Sequence, residues 1–213
     1  MFKPEEREYR SFESFSIDKG SDEKIVTGYA STFDEYTLRD FGQEVWTEQI
    51  SRDAFRNTDF GDVVFLRDHT GPVLARNKNG TLKLTVDENG LFTRTDLSST
   101  TSSRAMFEDI DAELYTQMSF GFIVDKQHFV EEQRDDKIFI HRIIDSVKKI
   151  FDVSAVAFPA NPTTEIGVAT RSVFDGAIEE LRAERLKEEQ EQRAREREAL
   201  ILKLKLLEET QND

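Results

Sequence analysis

The distribution of phenylalanine along the chain limits which part of it can form a core. The 213 residues include 17 phenylalanines, and none of them follows Phe174. Large aromatic side chains supply much of the buried area of a core, so we expect the core to end near residue 174. The length then allows one domain of ordinary size and a C-terminal appendage.

Short β-type runs separated by turn residues dominate the chain from Lys24 onward. Residues 82–86 and 91–97 alternate apolar and polar side chains on either side of Asn89-Gly90, which predicts a β-hairpin. Further β-type runs occur at 24–30, 62–66, 118–124, 137–143 and 153–158. This pattern predicts an α+β fold, mostly a closed or nearly closed β barrel with helices around it.

Two segments have helical character. Apolar residues recur at helical spacing within 100–118, where Thr101 or Ser102 would cap the start. After Arg171 the chain alternates Glu with Arg and Lys, which predicts a long charged C-terminal helix. We therefore divide the chain into an N-terminal arm or edge strand (1–23), a main domain (24–171) and a helical extension (172–213).

Composition excludes several classes of protein. The formal net charge of −14 argues against binding of nucleic acid as the main role. The sequence contains no cysteine, so it has no thiolate nucleophile and no thiolate metal site. It has no apolar run of membrane-spanning length and no signal peptide, so we expect a cytoplasmic protein with no membrane partner. Its three histidines are widely separated, and we expect neither a metal nor another cofactor.

Three residues have the chemistry of a hydrolytic relay. Ser119 lies in the run Met118-Ser119-Phe120-Gly121-Phe122 and would begin a strand. His69 follows an apolar strand, and Asp152 opens another β-type run. In such a relay a serine attacks, a histidine takes its proton, and a carboxylate orients the imidazole. We expect Gly121 to let backbone approach a reacting carbonyl, and Phe120 and Phe122 to face the core.

Each role has alternatives among the other residues. His128 lies in a polar stretch that suggests a solvated loop, and His141 lies in a predicted strand, where a cross-strand hydrogen bond is the common explanation. Asp68 and Asp145 are alternatives to Asp152. Asp68 is adjacent to His69, and adjacent residues on an extended segment point apart. We therefore favour His69 as the base and Asp152 as its partner.

The segments around these residues resemble the prohead maturation proteases of tailed phages. The resemblance covers roughly residues 24–171 and depends on the order of several short pieces. These are Gly28-Tyr29-Ala30-Ser31-Thr32-Phe33, Ala54-Phe55, the His69 segment, Asp87-Glu88-Asn89-Gly90-Leu91, the Ser119 segment, and Asp152-Val153-Ser154 with the prolines after it. The family is related in fold to assemblin, the herpesvirus capsid-maturation protease, so the resemblance implies a herpesvirus-protease-like barrel. It also implies that the acid at Asp152 orients the histidine, although assemblin uses a second histidine there, which keeps His141 under consideration.

The resemblance implies a serine endopeptidase of phage prohead maturation. Its substrates would be the scaffolding segment of the major capsid protein or a separate scaffold, and its own termini by autocleavage. It would work in the host cytoplasm inside the immature prohead, with the charged helix as a tether, and self-association is also allowed. The alternatives are a catalytically idle scaffolding or capsid-interaction protein and an unrelated esterase. The Gly-x-Ser-x-Gly motif of that class of esterase is absent from this sequence, which argues against the esterase.

Overall fold

The computed structural model describes residues 7–12, 16–17, 23–157 and 168–210. The chain divides into two compact units, Met1–Arg171 and Ser172–Asp213. The described strands are β1 (Glu8–Phe12), β2 (Ser16–Ile17), β3 (Ile25–Thr32), β4 (Tyr36–Asp40), β5 (Glu44–Ile50), β6 (Val64–Arg67), β7 (Thr70–Arg76), β8 (Leu82–Val86), β9 (Gly90–Asp96), β10 (Gln117–Arg134) and β11 (Lys137–Val156). The described helices are α1 (Thr101–Asp111), α2 (Val168–Thr210) and a 3₁₀ turn at Asn77–Asn79.

Two long strands organise the larger, seven-stranded sheet. β10 and β11 pair antiparallel along almost their whole length, from Gln117 opposite Val156 to Arg134 opposite Lys137. β1 pairs with the other edge of β10. The far edge of β11 is shared by two parallel partners, β5 near its start and β6 near its end. β4 and β7 then continue the sheet from β5 and β6. The β6–β7 hairpin therefore lies beside the C-terminal part of β11.

The smaller sheet has four strands in the order β2, β3, β9, β8. Its β8–β9 hairpin confirms the prediction from Asn89-Gly90, with Val86 opposite Leu91. The Asp87 Oδ1 atom accepts hydrogen bonds from the backbone N–H groups of Asn89 (2.8 Å) and Gly90 (3.1 Å). Gly90 has φ 158°, and a Cβ atom there would collide with the backbone of Ser31. Only glycine fits this turn against its neighbour strand.

The helix predicted within 100–118 is confirmed as α1. The Thr100 side chain accepts a hydrogen bond from the backbone N–H of Ser103 (3.0 Å), so the cap lies one residue before Thr101. The helix ends at Asp111, and the chain then passes through Glu113 at φ 59° before β10 begins. This left-handed residue stops the helix earlier than the apolar spacing alone indicates.

One hydrophobic core joins the two sheets and α1. Its buried members include Val26 and Leu91 from the smaller sheet, Phe65 and Phe120 from the larger sheet, and Met106 from α1. Phe120 and Phe122 are fully buried and their rings stack at 4.4 Å, as the sequence predicted for the core face of β10.

The predicted closed barrel is not found among the described residues. Their strands form two separate hydrogen-bonded sheets, and α1 is the one α-helix among the described residues up to 157. The mostly β, α+β character is confirmed. The spacing of short strands cannot distinguish a barrel from two sheets, because it does not say which edges pair.

The C-terminal unit is helical, as predicted. α2 extends over 43 residues, Val168–Thr210. No helix in the described ranges combines the length and the apolar character needed to cross a membrane.

Candidate active site

Ser119 lies in β10, between two neighbouring strands. Its Cα partners are Ser11 on β1 and Ser154 on β11. Side chains alternate along a strand, so Ser119 and Gly121 point to the face opposite Phe120. The residue is fully buried, with 0% of its surface exposed.

Asp152 is brought to the same face by the pairing of β10 with β11. It lies opposite Gly121, two positions along the ladder from the pair formed by Ser119 and Ser154. The Asp152 side chain is fully buried. Two of the three predicted residues therefore come from one antiparallel hairpin.

His69 is delivered by the turn of the β6–β7 hairpin. Asp68 has φ 47° and His69 has φ 58°, and Arg67 pairs with Thr70 across the turn. Two consecutive left-handed residues match a two-residue hairpin turn of type I′. The Asp68 backbone N–H donates to the Ala155 carbonyl (3.0 Å), and Asp68 Oδ1 accepts from the Ala157 N–H (3.2 Å). These bonds hold the turn against the end of β11.

The imidazole of His69 bridges the other two side chains. The distance from His69 Nδ1 to Asp152 Oδ2 is 2.5 Å, and that from His69 Nε2 to Ser119 Oγ is 2.7 Å. A carboxylate accepts the Nδ1 proton, which leaves Nε2 free to accept from the serine hydroxyl. This is the order of contacts that a serine relay needs.

The electrostatic surroundings keep His69 neutral. Burial and the nearby Arg7 guanidinium lower the pKa of His69 to about 4. The pKa falls although Nδ1 contacts a carboxylate, because burial disfavours the charged imidazolium most and the nearby positive charge of Arg7 disfavours it further. At neutral pH the imidazole therefore has the unprotonated nitrogen that a general base requires.

Three further residues at this site were not assigned from the sequence. Ser154 Oγ donates to Asp152 Oδ2 (2.8 Å), the Tyr9 ring lies 4.2 Å from the His69 ring, and Arg7 pairs with Asp152. The period-two spacing of Asp152 and Ser154 could have indicated that they share a face. Nothing in the charged N-terminal stretch distinguishes Arg7 or Tyr9 from their neighbours.

The alternative histidines and acids lie elsewhere. His128 lies in β10 rather than in the expected loop, and its Nδ1 contacts Asp145 Oδ2 at 2.7 Å in an exposed pair. His141 Nδ1 contacts Thr47 Oγ1 at 2.7 Å across two strands, which is the structural role considered for it. Asp68 supports the turn. Within the described ranges, no group of three or more His, Asp and Glu side chains is arranged to hold a metal ion.

A buried carboxylate, an imidazole and a serine hydroxyl in one hydrogen-bonded row match the arrangement that serine hydrolases use. Comparison with known proteins agrees with this class. The chain matches the Caudovirus prohead serine protease family over residues 10–177 and belongs to that family. No curated protein and no solved structure gives a significant match to it.

Proposed function

We propose that this chain is a serine endopeptidase that acts in the maturation of a phage prohead. The observation that supports the proposal most directly is the position of the His69 ring, 2.7 Å from Ser119 Oγ and 2.5 Å from Asp152 Oδ2. Membership of the prohead serine protease family adds the biological setting.

The chemistry follows from these contacts. Ser119 Oγ attacks the carbonyl carbon of the scissile peptide while its proton passes to His69 Nε2, and Asp152 stabilises the resulting imidazolium. The C–N bond then breaks as His69 returns that proton to the leaving amine. A water molecule, deprotonated by His69, hydrolyses the acyl-enzyme and regenerates the Ser119 hydroxyl. The relay uses no cofactor.

The substrates follow from the family setting. We propose that the enzyme cleaves a scaffold or the scaffolding segment of the major capsid protein, and also cleaves itself. It would act inside the immature prohead in the host cytoplasm. Self-association and a herpesvirus-protease-like fold remain predictions of the resemblance. We also propose the division into an N-terminal arm (1–23), a protease domain (24–171) and a helical extension (172–213).

One observation favours the second candidate, an idle capsid-interaction protein. Ser119 has no exposed surface, and a peptide carbonyl cannot reach a hydroxyl that its neighbours enclose. If these neighbours never move, the domain would serve assembly without cleaving.

Substitution of the nucleophile separates the two functions. The major capsid protein that the chain accompanies is incubated separately with wild type, with Ser119→Ala and with the control Ser102→Ala. Ser102 is an exposed serine of α1. We expect cleavage by wild type and by Ser102→Ala, and a loss on the order of 10⁶-fold in kcat for Ser119→Ala. A fluorophosphonate probe should label the same two active proteins. Fragments formed equally by Ser119→Ala would contradict the proposal.

A further inference from the structure

Asp152 has one carboxylate oxygen that the relay leaves without a partner. Its Oδ2 atom receives His69 Nδ1 at 2.5 Å and Ser154 Oγ at 2.8 Å. Its Oδ1 atom is buried and accepts no hydrogen bond from the described residues within normal geometry. A buried carboxylate oxygen outside the hydrogen-bonded row is costly unless a nearby positive charge compensates it.

The Arg7 guanidinium lies against this oxygen. Arg7 Nη2 forms an ion pair with Asp152 Oδ1, and the arginine side chain is one-third exposed (33%) while Asp152 is fully buried. The guanidinium also lies over the Phe151 ring, 4.7 Å from its centroid, and over the Tyr9 ring at 5.2 Å. Arg7 therefore joins the buried carboxylate to the surface, between two aromatic rings that restrict its position.

Gly121 provides the space for this ion pair. A Cβ atom at position 121 would lie 2.6 Å from Asp152 Oδ1 and 2.7 Å from Arg7 Nε. Both distances are too short for any side chain to be accepted without moving the pair. The sequence suggested that this glycine lets backbone approach a substrate carbonyl, and in the structure the same position leaves room for Arg7 and Asp152.

A buried ionic network fixes the strand that follows Arg7. On the inner face of β1, Glu8 accepts from Arg142 Nη1 and Nη2 (2.6 and 2.7 Å), and Arg10 Nε donates to Glu48 Oε1 (2.5 Å). Arg142 and Glu48 are fully buried. Because side chains alternate along a strand, this anchoring directs Tyr9 and Arg7 to the opposite face, where the relay lies.

We infer that Arg7 is a positioning residue of the relay, whose guanidinium holds the Asp152 carboxylate so that Oδ2 stays directed at His69. The inference rests on the proposed function and deepens it. Arg7 precedes the segment that matches the family, which begins at residue 10. The N-terminal stretch is thus a working part of the site rather than only an arm.

The pKa of His69 depends on the contact between Arg7 and Asp152, so it can be used to test that contact. The charged and titratable groups around its ring are Asp152, Arg7, Tyr9 and the adjacent Asp68. Among them Arg7 is the group whose charge lowers the pKa of His69, after burial itself. Removal of the guanidinium should therefore raise the pKa of His69 from its value of about 4.

The test compares wild type with Arg7→Gln in the full-length protein. The His69 ring is titrated by NMR, with its signal identified from His69→Ala among only three histidines. In Arg7→Gln we expect the pKa of His69 to rise. On a soluble peptide we expect kcat to fall about 10- to 100-fold with little change in KM. This loss is smaller than the roughly 10⁴-fold fall in kcat that follows when the orienting carboxylate of a serine relay is itself neutralised.

Further variants separate positioning from general stability. Arg7→Lys keeps the charge and should retain the low pKa of His69 with an intermediate kcat, because an ammonium cannot replace the planar fork of arginine. Gly121→Ala should reproduce the effects of Arg7→Gln by displacing the same pair. Arg56→Gln, which alters an exposed arginine of a surface pair, should match wild type in both measurements.

Two results would overturn the inference. One is an unchanged pKa of His69 in Arg7→Gln, which would limit Arg7 to a packing role. The other is a kcat of Arg7→Gln that does not fall. An unchanged kcat would show that Arg7 does not support the relay, and an increased kcat would show that Arg7 restrains the relay. The titration does not depend on cleavage, so an inactive wild-type protein would count against the proposed function while the pKa still decides the role of Arg7.

Discussion

At the scale of single residues, the position of His69 depends on an uncommon backbone conformation. Asp68 and His69 both have positive φ angles, 47° and 58°. Among residues other than glycine, Asn, Asp and His adopt this region several times more often than the rest. The pair Asp-His can therefore form the turn itself. The imidazole and the geometry that presents it are specified by the same two positions.

The hydroxyl of Ser154 allows a test of how the Asp152 carboxylate is held. Ser154→Ala removes the 2.8 Å hydrogen bond to Asp152 Oδ2 and the 3.2 Å contact between Ser154 Oγ and His69 Nδ1, and it leaves His69 as the remaining donor to Asp152 Oδ2. One hydrogen bond contributes about 0.5–1.5 kcal/mol. We therefore expect kcat to fall about 2- to 10-fold with KM unchanged, measured on a soluble peptide.

The control for this experiment lies in the same hairpin. Ser146→Ala removes an exposed hydrogen bond from Ser146 Oγ on β11 to Asp125 Oδ2 on β10 (3.1 Å), away from the relay. Its kcat should equal that of wild type. Equal losses in both variants would mean that Ser154 only stabilises the hairpin.

At the scale of elements, β1 is the strand whose attachment is most unusual. Its inner face contributes two charged side chains to a buried network, and Glu48 of β5 is the fully buried acid in that network. Burial alone would raise the pKa of Glu48, but Arg10 and Arg142 outweigh this effect and lower the pKa to about 2. Removal of one partner from a buried ion pair leaves an uncompensated charge.

Glu48→Gln should therefore destabilise the fold strongly. We expect the free energy of unfolding to fall by about 3–5 kcal/mol in urea denaturation at neutral pH. The control Asp53→Asn alters an exposed pair at 3.9 Å and should change it by less than about 0.5 kcal/mol.

The pH dependence of the Glu48→Gln effect has a definite sign. The folded pKa of Glu48 lies below its ordinary value of 4.5, so its contribution is complete above about pH 4.5 and is lost as the pH falls towards 2. The stability difference between wild type and Glu48→Gln should shrink over that range. A difference that stayed constant or grew would contradict the assignment of these ion pairs.

The elements differ in how far the sequence could predict them. The Asn89-Gly90 hairpin and α1 depend on local turn chemistry and apolar spacing, and both were found. The runs at 137–143 and 153–158 were expected as separate strands, whereas the structure joins residues 137–156 into β11. Charged positions such as Lys148 and Lys149 interrupt the apolar pattern there. Pairing with β10 on one side and with two partners on the other side overrides that interruption.

The sequence could predict only those site residues whose side-chain type itself performs a step of the proposed chemistry. Ser119, His69 and Asp152 were chosen because few side chains can attack, accept a proton or orient an imidazole, and the structure brings these three together. Arg7 acts through an ion pair with a residue 145 positions away, and no local pattern encodes that pairing. Closure into a barrel could not be predicted for the same reason, because strand order is a long-range property, and the described residues show two sheets instead.

At the scale of the whole molecule, the C-terminal helix extends beyond the family match. The match ends at residue 177, whereas α2 continues to Thr210. If the extension is a tether, deletion of residues 178–213 should leave kcat on a soluble peptide within about twofold of wild type and should remove the protease from assembled proheads. The measurements are peptide kinetics and the protease content of purified proheads.

A matched variant keeps the length of the helix constant. Exchange of the acidic and basic residues within 189–198 preserves helix-forming residues but alters the charge pattern. Incorporation should fall in this variant as well if charge is what a partner recognises. Normal incorporation of the deleted chain would contradict the tether.

The turn that joins the two longest strands has a practical consequence. Asp135 and Asp136 are exposed at its tip, and a backbone opened there would leave Arg7, His69 and Ser119 on one fragment and Asp152 with Ser154 on the other. Neither fragment would hold a complete set of reacting groups. Two separately produced halves should thus behave as a complementation pair, in which recovered turnover reports that the β-ladder between them has reformed.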